Sequence, residues 1–229
     1  MTFTIENSMN YSIKLFLTFL SACLISTATV FGQTEDVEKV NELWTGASLS
    51  YKLNKKIQFS VDQQVRLTDN LNKVRNTFFE FGVKYRFNKY LSMRAQHRYT
   101  MPNGERHVNR FTLDGTGKYK IKSTHLELAY RIRFQHAVTT FTQEPETYLR
   151  NRIQLRYRLI KGICVFARYE SFYQFNDKQR FRRNLYAAGV DFKLNKKLDV
   201  SVFYRLDQKI NTNNPERRNI VAVLASFEI

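Results

Sequence analysis

Between Arg150 and Leu159 the chain reads RNRIQLRYRL, with guanidinium groups at Arg150, Arg152, Arg156 and Arg158 and Ile153, Leu155, Tyr157 and Leu159 between them. Arg131, Arg133 and Arg168 lie on the neighbouring segments and bring the set to seven. A planar guanidinium fork matches carboxylate or phosphate oxygens two at a time, so a strip of this kind is a candidate track for small acidic solutes. The competing fate is that of most buried arginines, which meet carboxylates and carbonyls of their own protein. Only Asp114 and Glu170 can be placed against the seven from sequence.

Other charges fall into expected pairs. If residues facing each other across a tight turn sum to a constant, Glu80 faces Arg98, Asp114 faces Arg131, Lys118 faces Glu127, Arg152 faces Glu170, and Lys193 faces Asp199. Directly opposed charges contribute about 0.2–1 kcal/mol each and resist a register slip. By the same rule Trp44 faces Arg66, the geometry of a cation-π contact. Such pairs would neutralise much of an interior that is expected to be polar.

Catalytic and cofactor chemistry is thinly represented. No Walker loop, GxGxxG, HExxH, GxSxG or paired CxxC occurs, so no cofactor and no metal are expected. His97, His107, His125 and His136 are scattered, without a spacing suited to a metal. His97 falls near a strand end where a lipid-acting enzyme would place a base, but no Ser or Asp is evidently set beside it. The expectation is a protein that is not an enzyme. Cys164 is the sole cysteine after residue 32, so no internal disulfide is expected within that part.

These residues must be positioned by strands, because a period of two puts one face of a segment in cation and the other in hydrocarbon. Short connections (LNKK at Leu53 to Lys56, FNKY at Phe87 to Tyr90, KIKS at Lys120 to Ser123, IKG at Ile160 to Gly162, LNKK at Leu194 to Lys197) alternate with longer polar ones such as MPNGERHV and KINTNNPERR. Strict alternation of tight turns with longer loops is an up-and-down hairpin series. Strands are expected at 43–53, 56–68, 75–87, 90–101, 107–120, 124–136, 147–159, 162–175, 181–194, 197–208 and 217–229. Most are long enough to cross a bilayer at a tilt, whereas a globular strand runs to about 5 or 6 residues. One face stays uncharged strand after strand, as in Phe79, Phe81, Val83 and Tyr85 or Val221, Val223, Ala225 and Phe227. A two-sheet sandwich could bury that face, but nothing in a sandwich requires all short turns at one end. The expected fold is all-β: an up-and-down antiparallel transmembrane β-barrel over 43–229.

Strand number is open. Eleven strands are legible, while bacterial single-chain barrels usually have an even number. Either part of residues 33–42 adds a weak first strand, giving about 12 within a range of 10–12, or the barrel closes with parallel neighbours. The alternative for 33–42 is a periplasmic N-terminal segment. Upstream, Lys14 precedes LFLTFLSACLISTATVFG, with Val30 and Gly32 before Gln33, the layout of a cleaved signal peptide over 1–32. A lipoprotein box around Cys23 is the minor alternative. Export removes nucleic acid from the partners that a net charge of +17 would otherwise admit. Outer-membrane lipid, the barrel-assembly machinery and small anionic solutes remain; oligomeric state is not legible.

The segments ELWTGASLSYKLNKKIQFSVDQQVRLTDN and YAAGVDFKLNKKLDVSVFYRLDQKINTNNPE resemble a domain-of-unknown-function family of Gram-negative outer-membrane β-barrels. The likeness lies in the Leu43-Trp44 start, the repeated LNKK turns and the Asn213-Asn214-Pro215-Glu216 loop. It implies architecture and an outer-membrane location, and no activity. Three functions stay open: a narrow anion-selective pore, a non-conducting structural or partner-binding barrel sealed by its charge pairs, and a lipid-acting enzyme.

Overall fold

The computed structural model describes residues 38–69, 71–103, 107–140, 145–176, 179–212 and 214–229. They form strands β1 (Glu38–Lys52), β2 (Ile57–Thr68), β3 (Lys73–Arg86), β4 (Leu91–Pro102), β5 (Val108–Ile121), β6 (Leu126–Thr139), β7 (Pro145–Ile160), β8 (Ile163–Gln174), β9 (Arg180–Lys193), β10 (Leu198–Lys209) and β11 (Glu216–Glu228). Each pairs antiparallel with the next, and β1 pairs parallel with β11, so the sheet closes into a barrel. The eleven expected strands are all present. Their ends fall within three residues of expectation, except that β1 begins at Glu38 rather than Leu43.

The odd strand number is accommodated by the parallel seam, not by a twelfth strand. Thirteen residue pairs run from Glu38↔Glu216 to Ser50↔Glu228, leaving neither edge open to another chain. Glu38 to Glu42 are the start of β1, beside the start of β11. That makes residues 38–42 part of β1, at the long-loop end of the barrel, and not a separate strand. Residues 33–37 and the expected signal peptide over 1–32, with Cys23, lie outside the described residues.

Three short turns share one device. The side-chain oxygen of Asn54 accepts hydrogen bonds from the backbone N–H of Lys56 and Ile57, both at 2.8 Å. Asn88 does the same for Tyr90 and Leu91, and Asn195 for Lys197 and Leu198. An asparagine that satisfies the backbone two and three residues on stabilises a tight reversal, which explains why L-N-K-K occurs twice and F-N-K-Y once. The β5–β6 turn differs. A 3-10 turn at Lys122–Thr124, followed by His125 with φ of 55°, moves the reversal toward the C-terminus.

That shift corrects two expected pairs. Asp114 faces Arg133, and Lys120 faces Glu127; Arg131 and Lys118 are their diagonal neighbours. The facing pairs Glu80–Arg98, Arg152–Glu170, Lys193–Asp199 and Trp44–Arg66 have the expected register.

The outer face is hydrocarbon: Phe81, Phe111, Ile153 and Val221 are each about half exposed or more. Several of its polar groups are clasped diagonally within long-loop hairpins. Tyr130 donates to Asn151 (2.7 Å), Tyr169 to Asn184 (3.0 Å) and Tyr204 to Asn219 (2.7 Å). His97 takes the tyrosine's place against Asn109, Nε2 to Oδ1 at 3.2 Å. A side-chain amide in an apolar surround is costly unless bonded, and these contacts satisfy it.

Candidate functional site

The inward side chains of β3 to β8 build a continuous polar belt. Arg98 Nε donates to Glu80 Oε2 at 2.6 Å, and Gln96 Nε2 donates to the other oxygen of Glu80. Gln96 Oε1 accepts from Arg133 Nη2 at 2.8 Å. Arg133 grips Asp114 with both arms of its fork, Nε to Oδ1 at 2.5 Å and Nη2 to Oδ2 at 2.6 Å. Arg131 Nη1 lies 3.8 Å from Asp114, while its Nη2 donates to Glu170 Oε1 at 2.5 Å. Arg150 donates to the same oxygen through Nε at 3.0 Å, and through Nη1 to Gln135 at 2.7 Å. Two carboxylates, Asp114 and Glu170, thus hold three guanidiniums, and both are only 3% exposed.

The seven arginines expected as an anion track therefore divide. Arg131, Arg133 and Arg150 are tied into the belt. Arg156 Nη2 donates to Asp191, which also accepts from Ser201 Oγ at 2.5 Å. Asp191 is an acid missed from sequence, because it lies two strands from Arg156, across β8. Arg168 stacks 4.5 Å from the centre of the Phe166 ring and 5.6 Å from that of Phe203. Arg158 is exposed at the short-turn end. Arg152 has no carboxylate within 4.0 Å among the described residues: its register partner Glu170 turns to Arg131 and Arg150.

The other pairs are weaker. Glu127 lies 3.2 Å from Lys120 and 3.8 Å from Lys118. Lys193 and Asp199 are register neighbours and both exposed, with no ion pair between them among the described residues.

The expectation of a polar interior holds only for part of the wall. On β1 and β8 to β11 the inward positions carry Trp44, Phe166, Phe172, Leu185, Phe203 and Ile220, which form one buried cluster. Leu185 is 1% exposed and Ile220 0%. Phe166 meets Phe203 edge to face at 6.0 Å between ring centres. Gly189 permits this: a Cβ there would lie 2.3 Å from the Phe203 Cβ. Arginines stack on the rings of both walls. Arg66 and Arg205 sit 3.9 and 4.6 Å from the Trp44 ring centre, Arg98 3.7 Å from Phe78 and Arg150 4.1 Å from Phe172. Guanidinium on an aromatic face contributes about 0.5–2 kcal/mol depending on desolvation. The sequence signal for this wall was present: an inward run of apolar residues breaking the polar alternation, as at Leu185 and Ala187.

Residues 41–219 match a family described as "Protein of unknown function (DUF2490)". The chain belongs to that family. No curated protein matches it. Among solved structures it is similar to a "Bacterial polysaccharide outer membrane secretin", with TM-score 0.50 and 10% identity over 75% of this chain and 64% of that one. A "KdgM porin" aligns with TM-score 0.46 and 14% identity over 70% and 81% of the two chains. The "Translocator domain of autotransporter NalP from Neisseria meningitidis" aligns with TM-score 0.44 and 11% identity over 72% of each. The secretin likeness and the closed sheet together make this DUF2490 chain a transmembrane β-barrel by fold.

Two histidines of this DUF2490 barrel, His97 and His136, have hydrogen-bonding partners. His97 contacts Asn109 and stacks on Phe111 at 4.5 Å, and His136 Nδ1 lies 2.9 Å from Thr147 Oγ1. Among the described residues, neither is hydrogen-bonded to a Ser or Asp. No group of three or more His, Cys, Asp or Glu suited to a metal ion occurs among the described residues. Cys164 is a free thiol, half-buried.

Proposed function

We propose that the protein is an outer-membrane barrel that is sealed at rest, exported by its signal peptide and inserted by the barrel-assembly machinery, with its short turns toward the periplasm. Outer-membrane lipid covers the hydrocarbon face, and the basic short-turn rim, with Lys55, Lys89 and Lys196, meets phosphate headgroups. The observation that carries the sealed reading is burial inside the cylinder. Every one of the eleven strands contributes a buried inward side chain, from Trp44 on β1 and Gln64 on β2 round to Phe203 on β10 and Ile220 on β11. Groups lining a water-filled channel would be wet.

Width explains the choice of residues. About eight strands make an interior that ordinary side chains fill, and 16 to 18 leave a channel. At eleven, filling takes the longest side chains, and arginines stacked on aromatics supply the reach. Purified protein in a planar bilayer should show no conductance steps at moderate voltage. Steps with an anion-favouring reversal potential overturn the sealed reading.

One observation favours the second reading, a narrow anion-selective pore. Arg110 and Arg152 have no carboxylate within 4.0 Å among the described residues, and the buried Nε of Arg110 makes no hydrogen bond. If steps occur, Arg152→Ala should reduce their anion selectivity.

A further inference from the structure

Below the belt, toward the short turns, the lumen is not filled. A cavity of about 490 Å³ lies there, within the range of about 300–1,000 Å³ usual for small-molecule sites. Its inner end is the belt itself, through Glu80, Arg98, Arg131 and Arg133, and beyond the belt its lining differs in kind from the filled half. Ser48 and Ser50 of β1, Ser60 of β2 and Ser226 of β11 place four hydroxyls on one wall, with the Gln58 amide beside them. Lys84 of β3 and Arg94 of β4 face them.

The two cations are not equivalent. Arg94 Nη2 is already bound, at 2.6 Å to Ser60 Oγ and 3.2 Å to Asp62 Oδ2. It reaches them by lying across Gly82, where a Cβ would come within 2.8 Å of Ser60 Oγ and 3.0 Å of Arg94 Nε. Lys84 stands in register between Gln58 and Arg94, and no carboxylate lies within 4.0 Å of it among the described residues. Lys84 also lines a second basin of about 900 Å³ at the short turns, where Arg86, Lys89, Lys118 and Lys120 outnumber the single acid Glu127. A cationic mouth draws anions toward a polar cavity in which Lys84, among the described residues, is the lining cation with no carboxylate within 4.0 Å.

We propose that this cavity binds a small hydroxyl-bearing anion of monosaccharide size, such as a sugar phosphate or sugar acid. Lys84 anchors the charge, and the serine wall with Gln58 exchanges hydrogen bonds with the hydroxyls. The site faces the short-turn end whether or not the belt conducts, so it stands independently of the sealed reading.

The test is calorimetric titration of the full-length barrel in detergent with glucose 6-phosphate, glucuronate, glucose and inorganic phosphate. Saturable binding of a sugar anion is expected, with glucose and inorganic phosphate each at least tenfold weaker. Lys84→Gln should lower the affinity at least tenfold while the β circular-dichroism signal is kept. Ser226→Leu, which fills the wall without removing charge, should weaken binding similarly and serves if Lys84→Gln does not fold. No saturable binding, or equal affinity in wild type and variants, overturns the proposal. Inorganic phosphate binding as tightly as glucose 6-phosphate removes the role given to the hydroxyls.

Discussion

The two halves of the lumen solve opposite problems with the same backbone. Toward the long loops, Trp44, Phe78, Phe172, Leu185 and Ile220 interlock with arginines, and the belt carboxylates are almost wholly withdrawn from solvent. Toward the short turns, the same strands carry Ser48, Ser60, Lys84 and Ser226 around open space. Strand length and pairing do not differ between the halves; side-chain volume does. A barrel of intermediate width is thus closed or hollow layer by layer, according to what each inward position carries.

The contrast can be broken most strongly at the belt. Glu170→Ala leaves Arg131 and Arg150 buried without their shared carboxylate, and a loss of about 3–5 kcal/mol is expected for a broken buried pair. Urea unfolding of the refolded barrel in lipid vesicles measures it; a loss below about 1 kcal/mol would mean the belt is wet. Next comes Ile220→Ala, which hollows the filled half, with about 2–5 kcal/mol expected from lost burial and the cavity left behind. Conductance appearing in that variant would identify Ile220 as part of the seal. On the outer face, Tyr204→Phe removes one clasp on Asn219, and about 0.5–1.5 kcal/mol is expected for one hydrogen bond. Smallest is Lys193→Ala near a short turn, where both side chains of the register pair are exposed and no ion pair joins them among the described residues; its unfolding midpoint should match wild type.

Much of the fold was legible from local pattern. Alternation placed all eleven strands, and the outward residues it assigned, such as Phe81, Phe111 and Val221, are those exposed to the surround. Register was legible wherever a turn is tight: Glu80 meets Arg98 and Trp44 meets Arg66 as the sum rule predicts. It failed by two residues at the β5–β6 turn, since a short 3-10 turn ending in a left-handed His125 leaves no strong sequence mark. The candidate site was only half legible. Arg131, Arg133 and Arg150 were named, but Arg94, Arg110, Arg205 and Asp191 were not; an ion pair that spans a strand, as Arg156–Asp191 does, obeys no cross-strand rule.

What the sequence determined by itself is which side of each ribbon is hydrocarbon and where each ribbon turns back, because side-chain alternation and turn chemistry act between near neighbours. Tertiary structure decided the rest. Closure through a parallel seam depends on residues 38–50 meeting 216–228, some 178 positions away. Whether an arginine is offered to a ligand or consumed by the protein depends on which carboxylates and rings curvature brings within about 4 Å of it, a distance that no one-dimensional pattern encodes.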